Sequence, residues 1–135
     1  MPMIDHLSVG VPDIARARGF YDPVLLTIDC RCLASGADFA TYGGERTEFL
    51  LLLPYDGLAP SAGNGTHIGF SASSRDAVTA FYKSALSVGA LDEGAPGIRH
   101  DYPMVDVFAA YVRDPFGNKL EVIHNGFSTY EAARA

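Results

Sequence analysis

Tryptophan is absent from this chain of 135 residues, and cysteine occurs only at Cys30 and Cys32. Two cysteines separated by one residue suit neither a CxxC redox motif nor a disulfide within a strand. A disulfide-stapled scaffold is therefore excluded, and both are read as reduced thiols. Lys and Arg number 10 against 16 Asp and Glu, for a net charge of −6. No basic run marks a surface for nucleic acid or an anionic membrane. No apolar stretch approaches the ~20 residues of a membrane helix; the longest run, Phe49–Pro54, is strand length. The N-terminus shows no basic-then-apolar leader, so a cytoplasmic location is expected. What remains is a chain 48% hydrophobic, enough for one domain with its own core.

The chain contains a weak internal repeat. Residues 5–25, DHLSVGVPDIARARGFYDPVL, align without a gap over 66–86, THIGFSASSRDAVTAFYKSAL. A histidine, a Phe-Tyr pair and a leucine are the four identities. Each copy reads as a short strand with a histidine near its start, then a polar turn, then a helix with an aromatic pair on its apolar face. A duplicated unit that repeats its histidine suggests two related halves sharing one site.

Local patterning extends this plan. Leu7, Val9 and Val11 alternate with His6, Ser8 and Gly10, which predicts a strand over Ile4–Val11. Asp13 suits a helix N-cap, and Ile14, Ala17, Tyr21 and Val24 recur at helical spacing. Pro23 is expected to kink or end that helix near Asp22. Strands are predicted around Cys30–Leu33, Asp38–Tyr42 and Glu48–Leu53, with Gly43-Gly44 as a turn. Module 1 thus covers about 3–56 as β-α-β-β-β, and the Pro- and Gly-rich segment at 57–65 forms a connector. Module 2, about 66–126, repeats the order. It has a strand at Thr66–Ala72, a cap at Ser73/Ser74 with Asp76, and a helix with Val78, Phe81, Tyr82, Ala85 and Val88 on one face, ending at Gly89. A loop at Glu93–Pro103 precedes a hairpin of Val107–Arg113 and Lys119–His124 turned by DPFGN. The tail, 127–135, reads as a short helix. The Phe-Tyr pairs are most simply core anchors.

Three side chains stand out as a donor set. His6 and His67 begin matching strands and face the less apolar side. Glu121 lies in the last strand, on the side opposite Leu120 and Val122, and a charge there needs a partner or water. Two imidazoles and one carboxylate suit Fe, Mn, Ni or Zn as a divalent metal with open positions for substrate. Structural or solvated roles compete for each residue taken singly; the symmetric placement of the histidines favours the site. Arg99, His100 and Tyr102 in the Glu93–Pro103 loop are candidates to grip a carboxylate or move a proton, and otherwise belong to a solvated loop. Tyr111 is placed to donate to substrate or to pack. By strand parity His124 and Asp5 point away, and neither is assigned to the site.

The segments IDHLSVGVPDIARARGFYDPVL, GTHIGFSA and YVRDPFGNKLEVIHNG resemble the vicinal oxygen chelate superfamily, which includes glyoxalase I, bleomycin-resistance proteins, fosfomycin transferases and extradiol dioxygenases. The resemblance covers Met3–Asn125, and its DPxGN hairpin with the following strand glutamate is the most specific part. It implies an α+β fold: two βαβββ modules forming a curved eight-stranded mixed sheet cup with helices on the outer face. It also implies His6, His67 and Glu121 as metal ligands. Glyoxalase I adds a glutamate where this chain has Leu51 or Leu52, and without that base its isomerase chemistry is disfavoured. Fosfomycin transferases carry a basic cluster that this chain lacks. Lyase, isomerase, transferase and dioxygenase chemistry on a small chelating substrate stay open. The alternative is a metal-free drug-sequestering protein with a groove of Phe39, Tyr42, Phe108 and Tyr111. The resemblance further implies a homodimer, with His6 of one chain meeting His67 and Glu121 of the other.

Overall fold

The computed structural model describes residues 2–129, so part of the 127–135 tail lies outside the described residues. Helix α1 (Ile14–Leu26) starts where Asp13, in extended backbone, accepts the Arg16 amide at 2.7 Å. Helix α2 (Arg75–Ser87) starts where Ser74 accepts the Ala77 amide at 3.0 Å. Each cap satisfies a donor that the first helical turn would otherwise leave unpaired. The apolar stripes then bury Ile14, Ala17, Phe20, Tyr21, Val24 and Leu25 on α1, and Val78, Phe81 and Ala85 on α2. Phe20, Tyr21 and Phe81 serve as core anchors, and Tyr82 is only partly buried.

Eight strands flank the helices in two four-stranded mixed sheets. Module 1 supplies β1 (Leu7–Gly10), β2 (Arg31–Ser35), β3 (Phe39–Gly43) and β4 (Phe49–Leu52), ordered β1-β4-β3-β2. Module 2 supplies β5 (Ile68–Ser71), β6 (Leu91–Ile98), β7 (Phe108–Arg113) and β8 (Lys119–His124), ordered β5-β8-β7-β6. In each sheet the first strand pairs parallel with the last and the others pair antiparallel. This is the α+β fold of two βαβββ modules. Within one chain the sheets stay separate, joined by helix packing rather than by strand pairing. Phe127–Thr129 forms a 3-10 turn.

Two local expectations are corrected. Pro23 does not stop α1, which continues to Leu26 with Val24 and Leu25 fully buried. A helix-interior proline costs about 3 kcal/mol, and burying Val and Leu stabilises by roughly 1.5–3 kcal/mol each. Residues Glu93–Ile98, expected in a loop, belong to β6. Gly94, Pro96 and Gly97 mask the strand pattern, and the register shifts on both sides of Gly94. Gly94 has a φ of +156°, and a Cβ there would lie 3.3 Å from Tyr111. A turn also constrains Gly43, where a Cβ would overlap the Arg46 carbonyl oxygen.

The two modules are tied through the 114–118 turn. Asp114 is 2% exposed and accepts from the amides of Phe116 and Asn118 and from Asn118 Nδ2, each at 2.9 Å. The Tyr21 hydroxyl of α1 donates to Asp114 Oδ2 at 2.5 Å, the oxygen that Asn118 Nδ2 also reaches, and Asn118 Nδ2 donates to the Gly10 carbonyl at 3.1 Å. Phe49 meets Phe70 edge-on at 5.1 Å, so one core spans both modules.

Burial, with Asp114 beside it, raises the Tyr21 phenol well above its ordinary value. Burial and the Asp22 carboxylate raise Tyr42 as well. Near and above pH 10 the unfolded chain loses tyrosine protons that these two keep in the fold, so stability falls as pH rises. Tyr21→Phe is expected to cost about 1–3 kcal/mol at pH 7 by leaving Asp114 short of a donor. It is also expected to soften the alkaline decline. Urea unfolding at pH 7 and above pH 10 reads both, and an unchanged alkaline slope would show that the fold does not hold the Tyr21 proton.

Candidate functional site

Along β8, Leu120 and Val122 point into the core, and Glu121 takes the opposite face. Strand register sets Glu121 directly across from Tyr111 on β7 and from Gly69 on β5. Despite its charge Glu121 is 4% exposed, which requires donors at its oxygens. His67 Nε2 lies 3.1 Å from Oε1, and the Tyr102 hydroxyl donates to Oε2. The Tyr102 hydroxyl also bonds that of Tyr111, making a short chain of two phenols ending on the carboxylate. Burial and the Glu121 carboxylate push the Tyr102 phenol well up. Burial also raises the Tyr111 phenol, against the opposing effect of its bond to Tyr102. Both therefore keep their protons at neutral pH.

Tyr111 is also the hub of an aromatic and cationic cluster. The His67 ring meets it edge-on at 6.1 Å. The Arg99 guanidinium carbon lies 5.6 Å from the ring centre and Lys119 Nζ lies 5.4 Å from it. Arg99 is held by Nη2, which donates to the carbonyls of Ala95 at 2.7 Å and Ala109 at 3.1 Å. Phe127 packs on Tyr102 at 5.8 Å.

Of the sequence candidates, His67, Glu121, Arg99, Tyr102 and Tyr111 converge. His6 does not join them within the chain, and among the described residues no three His, Cys, Asp or Glu side chains are placed to hold one ion. Its Nδ1 lies 2.6 Å from Asp5 Oδ1, and that bond lowers the Asp5 carboxyl below its usual range. Because β1 begins only at Leu7, strand alternation does not govern residues 5 and 6. His6 borders a cleft of about 350 Å³ with Leu25, Ile28, Phe49 and Phe70. His100 is exposed on the 99–107 loop, and its ring bonds no other described residue. His124 Nδ1 lies 3.0 Å from the Ala72 carbonyl oxygen, away from Glu121.

The four aromatics expected to line one groove are dispersed. Tyr42 is buried and donates to Asp22 at 2.6 Å, and Phe108 packs against the core beneath Arg75. Phe39 opens onto module 1, whereas Tyr111 belongs to the Glu121 cluster. Sequence reading gave Lys119 no role. Its position two residues before Glu121 on the same strand face was the available signal.

A family model for the Glyoxalase/Bleomycin resistance protein/Dioxygenase superfamily matches residues 3–122. The chain belongs to this superfamily. A glyoxalase/bleomycin resistance protein from Albidiferax ferrireducens T118 is 30% identical with a TM-score of 0.83, covering 93% of this chain and 100% of its own. A glyoxalase-related enzyme from Fulvimarina pelagi shares the fold at 14% identity and a TM-score of 0.71, covering 92% of this chain and 89% of its own. A lactoylglutathione lyase from Agrobacterium tumefaciens does so at 18% identity and 0.63, covering 97% and 100%. No curated protein sequence matches the chain significantly.

Tyr102→Phe removes the hydroxyl donor from Glu121 and frees one end of the 99–107 loop. A lost hydrogen bond to a charged group predicts roughly tenfold faster amide exchange across that loop. Hydrogen–deuterium exchange on the variant measures it, and unchanged protection would show that another contact holds the loop.

Proposed function

We propose that this superfamily member is a divalent-metal-dependent enzyme acting on a small substrate with neighbouring oxygens, by lyase, isomerase, transferase or dioxygenase chemistry. The observation that carries this reading is the approach of His67 Nε2 to Glu121 Oε1 at 3.1 Å. Ligand bonds of roughly 2.0–2.2 Å at near right angles require donors about 3 Å apart, so the pair fits one ion. Such an ion supplies Lewis acidity toward substrate oxygens. Tyr102 and Tyr111 are placed to hand a proton to, or accept a hydrogen bond from, an oxygen bound beside Glu121. His6 completes the donor set from a second copy of the chain, since its own copy keeps it out of the His67–Glu121 cluster. A homodimer with two shared sites is the assembly this requires, and superfamily members commonly act as dimers on small molecules.

A second reading rests on a different surface. Phe39, Leu50, Leu52, Tyr55 and Leu58 line an open, largely apolar cleft of about 1290 Å³ on module 1. Such a cleft suits sequestration of a drug-like molecule without metal. Ligand binding by calorimetry that is indifferent to EDTA favours this alternative.

Wild-type protein purified without chelator is expected to carry about one divalent ion per chain, and His67→Ala or Glu121→Gln to reduce it to near zero. Elemental analysis measures this, and unchanged metal in either variant defeats the assignment. His6→Ala is expected to lose metal as well. A monomer in sedimentation with full metal content would refute the shared site.

A further inference from the structure

Glu121 accounts for one negative charge in its cluster, yet two cationic heads lie within 6 Å of the Tyr111 ring centre. Three other cations are answered by carboxylates: Arg113 by Glu93 at 2.6 Å, Arg18 by Asp22 at 3.0 Å and Arg46 by Glu48 at 3.6 Å, while Arg16 and Arg75 lie singly over the Phe116 and Phe108 rings. Among the described residues neither Lys119 nor Arg99 forms such a pair. Lys119 makes no hydrogen bond there, and it is half-buried on the same strand face as Glu121. Arg99 is pinned through Nη2 to two backbone carbonyls, and its Nε is buried without an acceptor. A buried donor without an acceptor is costly, and a half-buried ammonium that keeps part of its hydration can exchange it for an incoming anion.

We propose that Lys119, with Arg99 beside it, is an anion anchor of this site, and that the substrate is a small carboxylate whose neighbouring oxygen faces Glu121 and His67. Two cations against one carboxylate leave a single positive charge from these side chains, before any bound ion is counted. The attraction is local, because the chain as a whole carries −6 and offers no long-range attraction to anions. Lys119 is the specificity determinant: its ammonium is a point donor that lies over the Tyr111 ring and forms no ion pair among the described residues. Arg99, fixed by the backbone, contributes field and a preorganised donor edge. This substrate class rests on the metal-site reading for its chelating oxygen, but the anchor itself does not require an ion.

Salicylate and catechol separate the two ideas, because each can chelate an ion through two neighbouring oxygens and only salicylate is a carboxylate anion. Calorimetric titration of Mn²⁺-loaded protein is expected to show salicylate binding at least about tenfold more tightly than catechol. A charged hydrogen bond has about that worth. Lys119→Gln should remove about tenfold from salicylate affinity and change catechol less than about twofold, and Lys119→Arg should retain the preference. Equal effects on both probes, or no effect of Lys119→Gln, overturn the anchor. So does wild-type protein that binds neither probe. If the protein takes up no metal, the metal reading fails on its own. The same comparison by chemical-shift titration of metal-free protein then decides the anchor, supporting it only if Lys119→Gln still weakens salicylate selectively.

Discussion

The buried carboxylate of Asp114 is the contact on which the rest of this molecule hangs. It closes the turn between β7 and β8 by accepting two amides, and it reaches across the module boundary to the Tyr21 hydroxyl. A carboxylate at 2% exposure persists only because every side of it meets a donor. Its turn sets the register that faces Tyr111 with Glu121. A slip by one residue would send Glu121 into the helix-facing core and Leu120 out of it. The DPFGN segment thus works at a distance from the site, by holding the strands that present it.

Glu121 is the second buried carboxylate, and its surroundings differ in kind. Asp114 is saturated mainly by backbone and amide donors that form as the turn folds. Glu121 is covered by His67, from just before β5, and by Tyr102, from a loop. These donors are exchangeable in principle, because a side chain on a loop can leave without unravelling a strand. A carboxylate kept dry by removable groups is suited to ligand chemistry; one kept dry by its own turn is suited to structure.

The separate sheets bear on the histidines. His6 and His67 each stand one residue before the first strand of their module, as the internal repeat implies. Yet β1 and β5 lie on different sheets that are not paired strand to strand and meet through the helix layer, the Phe49–Phe70 contact and the 114–118 turn. The internal repeat puts the two rings at equivalent points of their modules, and packing of the modules leaves them outside one shared cluster among the described residues.

Much of this was legible residue by residue. Asp13 and Ser74 announced the helix starts, the stripes through Tyr21 and Phe81 announced the buried faces, and period-two alternation put Glu121 opposite its core neighbours. These are local rules, acting over a few residues, so the linear chain contains them. Where the rule is interrupted the pattern misleads: glycines and a proline hide β6, and Pro23 looks stronger than the core that overrides it. What only tertiary structure decided is who meets whom across the chain: Tyr102 capping Glu121, Lys119 and Arg99 gathered at Tyr111, and His6 held apart with Asp5. Such contacts depend on the path of a loop and the relative seat of two modules, which arise from packing summed over the whole molecule and leave no periodic trace in any one segment.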